Sequence, residues 1–327
     1  MTKSNYARLD AAECAARLLG IRKPLVLIHV KPDGDAVGSA AALCEIFRQL
    51  GEDAPILSQD KIPARLDFIL ETTNTKVAES TDGYTAVSID TASPSQLGSL
   101  FDTAPKLALM IDHHAVGEQF ADGYISPDAS SAAEALYDIA LVLEKMGKIK
   151  FNKTLAFALY TAISSDTGCF AFSNASAKTH ICAARLIELG VDTADINQRL
   201  FYSKSKEQIT AEGLVASKIK TAFGGAVAYA TLSQKERDLP GVSQEHFETA
   251  IDVVRSLGGT KIAFVAKEEK EGKIKISLRS TGADVAAIAK IFGGGGHTRA
   301  AGCSVNAESA EEAAEQILKQ IDGMKGL

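Results

Sequence analysis

The chain has 327 residues, of which 46% are hydrophobic and 23% charged, with a formal net charge of −6. That length is comfortable for two domains with real cores, and no stretch approaches ~18 uninterrupted apolar residues, which argues against a membrane span. A protein that grips long nucleic acid usually shows a basic face that releases counterions, so with this acidic balance any nucleic-acid substrate is expected to be short.

In chain order, residues 7–20 show a helical pattern with Leu9, Cys14, Leu18 and Leu19 on one side and Gly20 as a stop. Residues 24–30 read as a strand, Lys31-Pro32-Asp33-Gly34-Asp35 as a turn cluster, and 37–50 as an Ala-rich helix closed by Gly51. Strand, loop and helix make the front half of a βαβ unit, in which sites lie at the carboxyl ends of strands. The beat repeats. Residues 54–57 are a short strand, 63–70 a short helix, and 84–89 a strand ending on Asp90-Thr91, with a weak helix over 95–101. The apolar run 107–111, preceded by Pro105-Lys106, is a buried strand ending on Asp112-His113-His114. This alternation predicts an α/β fold with a mostly parallel sheet covered by helices on both faces.

Ser131-Ala132-Ala133-Glu134 reads as a capping box opening a helix that Gly147 ends. Further helices are expected over about 152–165, 176–189 and 193–201. A polar, Lys-rich helix around 202–222 reads as a connector. Beyond it, strands at 226–232, 261–266 and 273–278, helices at 244–257 and 283–291, and the Gly-rich turn 292–297 form a second, smaller α+β domain. The expected division is 1–200, a linker over 201–222, and 223–327. Five cysteines, Cys14, Cys44, Cys169, Cys182 and Cys303, are odd in number and contain no Cys-x-x-Cys, so they read as structural thiols in a reducing cytoplasm. Residues 1–8 contain no apolar signal core.

Chemistry gathers where elements end. Burying Asp-His-His at a sheet edge is costly unless a cation or substrate compensates. His29, Asp33 and Asp35 follow the first strand, Asp90 ends another, and Asp166 follows a helix. In a parallel sheet the strand ends share one edge, so these groups and His113 can converge. Taken singly, an Asp-x-Asp loop is more often a solvated turn, and a lone strand-end Asp is usually a helix cap. Their coincidence overturns that bland view, because four of the six histidines fall in these motifs and the Gly-rich turn. Asp33, Asp35, Asp90 and Asp166 bring four negative charges together, and two divalent cations would cancel them. Paired cations ~3.5–4 Å apart suit phosphate-ester hydrolysis. Ligands of oxygen and imidazole without thiol favour Mn²⁺, with Mg²⁺, Co²⁺ or Fe²⁺ as alternatives. In an extended chain His114 would point away from His113, placing it to act on the phosphate or leaving oxygen.

These residues resemble the DHH family of phosphoesterases. His29 to Ser39 resembles its first motif, Ile89-Asp90-Thr91 its second, Asp112-His113-His114 the motif that names it, and Ser165-Asp166-Thr167-Gly168 its fourth. Arg279-Ser280 and Gly293-Gly294-Gly295-Gly296-His297 resemble its associated C-terminal domain. The resemblance implies one metal on His29, Asp33 and Asp90 and another on Asp35, Asp90, His113 and Asp166, with Asp90 bridging. It makes Asp112 a residue that orients an imidazole. Lys31 stands where many members carry Asn and touches no ligand assignment.

In the second domain, successive glycines let N–H groups converge into an anion nest. Gly294, Gly295, Gly296, His297 and Arg299, with Arg279 and Ser280, are therefore the expected substrate-holding residues. Substrate would lie between a lobe that cleaves and one that holds, and their separation would cap its length. Phe170 or Phe172 could stack a base, although core packing is expected for at least one of them. The expected function is hydrolysis of short oligoribonucleotides, linear dinucleotides such as pGpG included, and of 3′-phosphoadenosine-5′-phosphate. A homodimer in the cytoplasm is the implied setting. Competing readings are a manganese-dependent pyrophosphatase, whose C-terminal domain lacks the Gly-rich His turn, and a RecJ-like exonuclease, which needs an extra domain. A non-catalytic nucleotide-binding regulator ranks last because no ligand is replaced.

Overall fold

The computed structural model describes residues 6–104, 107–269 and 272–323, and at His297 the backbone alone; residues 1–5 and Pro105-Lys106, invoked above, lie outside them. The chain divides into two compact units, 1–203 and 204–327.

In the first unit α1 (Ala11–Gly20) precedes β1 (Pro24–Leu27), α2 (Gly34–Gln49), β2 (Ile56–Leu57) and α3 (Asp67–Thr73). Next come β3 (Thr85–Ile89), α4 (Leu100–Thr103), β4 (Leu109–Asp112) and β5 (Gly123–Ile125). Helices α5 (Ala132–Lys145), α6 (Lys153–Asp166), α7 (Ala177–Glu188) and α8 (Thr193–Asn197) finish it, followed by a turn of π-helix over Gln198–Tyr202. The sheet order is β2-β1-β3-β4-β5, and all four pairings are parallel. Alternate residues of each strand serve opposite cores. Val26, Val87, Ile89, Leu109 and Ile111 pack into one, while Leu25, Leu27, Ala86 and Met110 pack into the other. A sheet buried on both faces explains the near-continuous apolar runs.

Helices α2 and α6 run against each other through small residues. A Cβ added to Gly38 would lie 2.8 Å from Ala162 Cβ, and one added to Gly34 would lie 2.2 Å from Ser165 Oγ. This close approach brings the first turn of α2 to the last turn of α6.

Some expected boundaries move for physical reasons. Helix α1 starts at Ala11 because Asp10 caps it and exchanges a reciprocal bond with Glu13, while Arg8 pairs with Gly123 beside β5. Neither that pairing nor β5 is visible in the hydrophobic pattern. Helix α2 starts three residues before the expected Val37, because Asp33 Oδ1 accepts the amides of Asp35 and Ala36 at 3.0 Å. At α5, Ser131 Oγ caps the Glu134 amide, but the expected reciprocal box does not close: the Glu134 carboxylate instead accepts from Ser130 and Thr179.

The second unit contains α9 (Lys206–Ser217), β6 (Lys220–Ala222), β7 (Val227–Leu232), α10 (Gln234–Arg237), α11 (Ala250–Arg255), β8 (Ile262–Glu268) and β9 (Lys273–Ser280). Helix α12 (Val285–Ile291), β10 (Gly295–His297), β11 (Ala300–Asn306) and α13 (Ala310–Asp322) complete it. Its mixed sheet has the order β10-β11-β9-β8-β7-β6, with β7–β8 parallel. Helix α9, expected as a connector, buries Ala211 and Val215 in this unit's core with Phe247 and Val265. The five cysteines are unpaired; four are buried and Cys169 is half-buried. Among the described residues no helix is long and apolar enough to cross a membrane.

Candidate metal centre

The parallel sheet delivers its carboxyl-end residues to one edge. His29 follows β1, Asp90 follows β3, and Asp112 closes β4 with His113 and His114 just beyond. Asp33 and Asp35 sit at the start of α2, and Asp166 ends α6. All six expected metal ligands lie in this one place. His29, Asp33 and Asp90 form one group whose ligand atoms lie within 4.8 Å of one another, and Asp35, His113 and Asp166 form another.

Asp90 stands between the groups. Its Oδ2 lies 3.5 Å from His29 Nε2, and its Oδ1 lies 3.5 Å from His113 Nε2. Its backbone is left-handed, with φ 55°, a conformation that Asp tolerates better than most residues at a cost of order 1 kcal/mol. The turn is pinned where Asp90 N–H donates to Ile111 O at 3.0 Å. Both imidazoles are set by their other nitrogen. His29 Nδ1 is 2.7 Å from Val30 O and His113 Nδ1 is 3.4 Å from Ala129 O, which makes Nδ1 the N–H and leaves Nε2 facing inward as a donor for a cation.

Asp112 orients an imidazole, and that imidazole is His114, whose Nδ1 donates to its carboxylate at 2.7 Å. The expected divergence of His113 and His114 is corrected. The strand stops at Asp112, so the two rings lie 4.7 Å apart and tilted, with His114 Nδ1 3.9 Å from Asp90 Oδ1. His114 therefore faces the same carboxylate as its neighbour.

The electrostatics are those of a crowded acid cluster. Asp35 is 1% exposed and lies at the N-terminus of α5, accepting from Ala132 N at 2.7 Å and Ala133 N at 3.3 Å. Burial, then the charges of Asp90 and Asp166, still push its pKa well above the usual carboxylate range. Burial and neighbouring carboxylates likewise raise Asp166 to about 7, against the pull of His113. Burial opposes protonation of the imidazoles, but Asp33 and Asp90 outweigh it at His29 and take it to about 11. Asp90 and Asp35 take His113 to about 10 in the same way. Asp90 itself is held below its ordinary value by the two imidazoles, in spite of burial. Hard oxygen donors, inward Nε2 atoms and an excess of negative charge fit divalent metal ions.

Beyond Asp166 the backbone makes a left-handed turn: Gly168, Cys169 and Phe170 have φ of 56°, 57° and 63°. Two non-glycine residues in succession there store strain of order 1–3 kcal/mol each. Phe170 packs on Tyr160 and His180, the core role expected of one of the two rings, while Phe172 is 38% exposed and lies over Gly168. The turn returns the chain to Asp166, where Asn174 Nδ2 donates to its backbone oxygen at 3.1 Å and to Oδ2 at 3.3 Å. Sequence reasoning passed over Asn174; its type, eight residues past an expected ligand in a Gly-containing turn, was the only signal.

In the second unit the Gly-rich segment is an edge strand as well as a turn. Gly295, Gly296 and His297 pair with Gly302, Ala301 and Ala300. The amides of Gly293 and Gly294 donate to Lys290 O and Ala289 O at the end of α12, so one of the expected nest donors, Gly294, is committed to a helix cap. Gly294 is needed for close approach, since a Cβ there would lie 2.2 Å from Gly302 O. Arg279, Ala300 and His297 occupy one cross-strand row, and Arg299 is exposed one residue away. The Ser280 hydroxyl donates to Ala283 O, a bond internal to the unit.

Residues 23–163 match the DHH family, N-terminal domain, and residues 224–323 match the DHHA1 domain. The chain belongs to the DHH family. Among DHH relatives, a bifunctional oligoribonuclease and PAP phosphatase NrnA from Thermus thermophilus is 28% identical over 300 residues, covering 90% of this chain and 88% of that protein. The protein of the same name from Bacillus subtilis is 25% identical over 295 residues, covering 90% and 92%. An exopolyphosphatase-related protein from Bacteroides fragilis shares the DHH fold with a TM-score of 0.84 at 22% identity, over 96% of each chain.

Proposed function

We propose that this chain is a two-metal phosphoesterase that hydrolyses short oligoribonucleotides, including linear dinucleotides such as pGpG, to mononucleotides, and 3′-phosphoadenosine-5′-phosphate to AMP. The observation that carries this is the Asp90 carboxylate, which faces His29 with one oxygen and His113 with the other, between two groups of ligand atoms. His29, Asp33 and Asp90 would hold one ion, and Asp35, Asp90, His113 and Asp166 the other, with Mn²⁺ favoured over Mg²⁺ or Co²⁺. Bound there, the cations would supply an activated water and neutralise charge on the phosphoryl group. His114, its Nδ1–H held by Asp112, presents Nε2 as the donor to a phosphoryl or departing ester oxygen, which leaves with a proton as water adds to phosphorus. Arg279, Gly295, Gly296, His297 and Arg299 are proposed to hold the remote phosphate or ribose, while Gly294 and Ser280, whose N–H and O–H already donate within the unit, shape the segment instead. The names of the relatives, oligoribonuclease and PAP phosphatase, support this substrate class.

The test is purified protein with Mn²⁺ and 5′-labelled RNA of about two to twenty nucleotides, alongside pGpG, 3′-phosphoadenosine-5′-phosphate and pyrophosphate. Activity should concentrate on the shortest RNAs and the bisphosphate. Undiminished cleavage of the longest RNA would favour a RecJ-like exonuclease, preference for pyrophosphate a pyrophosphatase, and absence of turnover with bound nucleotide a regulator. Cytoplasmic location and homodimeric assembly belong to the same proposal and are checked by fractionation and light scattering.

A further inference from the structure

Three of the four ligands proposed for one of the two ions, all but the bridging Asp90, share a single support. His113 Nδ1 is 3.4 Å from Ala129 O, Asp35 accepts from Ala132 N and Ala133 N, and Asn174 Nδ2 joins Ser130 O (2.9 Å) to Asp166 Oδ2 (3.3 Å). All of these partners fall within the five residues 129–133. Among the described residues, His29, Asp33 and Asp90 make no hydrogen bond to that segment; His29 is set by Val30, and Asp33 by the first turn of α2. The segment is itself anchored from behind. Glu134 is fully buried, and its Oε2 accepts from Ser130 N at 3.1 Å, Ser130 Oγ at 2.6 Å and Thr179 Oγ1 at 2.7 Å.

We infer that Asn174 is a positioning residue that sets the site of one ion, by clamping segment 129–133 to Asp166, and leaves the other ion's site untouched. The orientation of its amide is fixed by chemistry. Ser130 O, Asp166 O and Asp166 Oδ2 are all acceptors, so the NH₂ group must face them. Without the clamp, Asp166 loses its donor and its tie to the segment that holds Asp35 and His113, so the three ligands lose their common register. The left-handed turn at residues 168–170 is what brings Asn174 back to that position. Glu134 and Thr179 hold the same segment from the core side, and their loss would endanger folding as well. Asn174 is exposed, so its replacement tests the clamp with the fold intact.

The inference rests on the two-metal assignment above. The experiment is Mn²⁺ titration of the metal-free full-length protein by calorimetry, with electron paramagnetic resonance to detect the exchange-coupled ion pair, on wild type, Asn174→Ala and Asn174→Asp. Wild type should bind two ions and show the coupled signal. Asn174→Ala should weaken one binding step about 10–100-fold, the size expected for an outer partner of a metal ligand, while the other stays within about threefold. The coupled signal should then appear only at higher Mn²⁺, and the thermal midpoint of the metal-free protein should not move. Asn174→Asp keeps the shape but removes the donor, so it should lose at least as much. Equal weakening of both steps, unchanged affinity, or a lowered metal-free midpoint that accounts for the loss would overturn the inference. Wild type binding fewer than two ions would instead bring down the two-metal assignment, and this inference with it.

Discussion

Loading the centre with divalent cations should release protons, in a number set by the two imidazoles. In the metal-free protein His29 is raised to about 11 and His113 to about 10, so both rings are protonated near neutrality and cannot coordinate in that form. Binding must displace one proton from each ring. Asp166, near 7, and Asp35, raised as well, add a further fraction. Exchange of about two protons makes the overall affinity for the ion pair rise about 100-fold per pH unit, ~2.7 kcal/mol, up to the pKa values of the rings. The stability of the metal-free fold has the opposite sign. The raised imidazoles contribute stability that is fully present below their ordinary 6.5 and is lost as pH rises through about 10 to 11. The raised carboxyl of Asp166 contributes below its ordinary 3.8 and loses that contribution as pH rises through about 7. Asp90, held low, runs the other way and loses its contribution only in acid. Calorimetric Mn²⁺ titration in buffers of different ionisation enthalpy, between about pH 6.5 and 8.5, counts the protons directly. Release of fewer than one proton per ion pair, with affinity flat across that range, would refute the protonated-imidazole account.

Asp90→Ala removes the carboxylate shared by both ligand groups and should lower kcat by well over the ~100-fold typical of losing an outer partner; near-normal turnover on pGpG with Mn²⁺ would dismiss the bridging role. Gly38→Val forces α2 away from Ala162 and should destabilise the first unit by about 1–3 kcal/mol in urea unfolding, while loosening Mn²⁺ binding through Asp35 and Asp166; tight binding at wild-type stability would show that the α2–α6 contact does not set the centre. Lys267 is 6% exposed, and burial lowers it from 10.5 to about 8 while its ammonium donates to Phe247 O at 3.1 Å. The folded protein therefore gives up that proton before the unfolded chain does, and stability should rise with pH between about 8 and 10.5. Lys267→Met should raise the free energy of urea unfolding at neutral pH by an amount on the order of 1–3 kcal/mol and flatten that rise, and a free energy that falls instead would mean the ammonium is compensated in place.

Most of the helices and the central strands were legible in order from the chain alone, because hydrophobic periodicity is local, whereas the short or edge strands β5, β6 and β10, and β11 and α13 beyond the Gly-rich turn, were not. The buried parallel strands show as apolar runs at Leu25–Leu27 and Leu109–Ile111, and the reactive residues stand just past their ends, so all six expected ligands could be named before their positions were known. Tertiary structure decided what no local pattern encodes. Asp33 moves the start of α2 back to Gly34 by capping it, which places Asp35 inside the helix rather than in a solvated loop. Asp35 meets its amide partners 97 and 98 residues away, and Asn174 reaches Ser130 across 44, so the support for the second ligand group exists only once α2, α5 and α6 have packed. The same holds for the Gly-rich segment, whose edge-strand pairing with β11 commits residues that in isolation look like an open nest. Chain-local signals specify which side chains can do chemistry; the hydrogen bonds that aim those side chains are long-range, and the fold alone sets them.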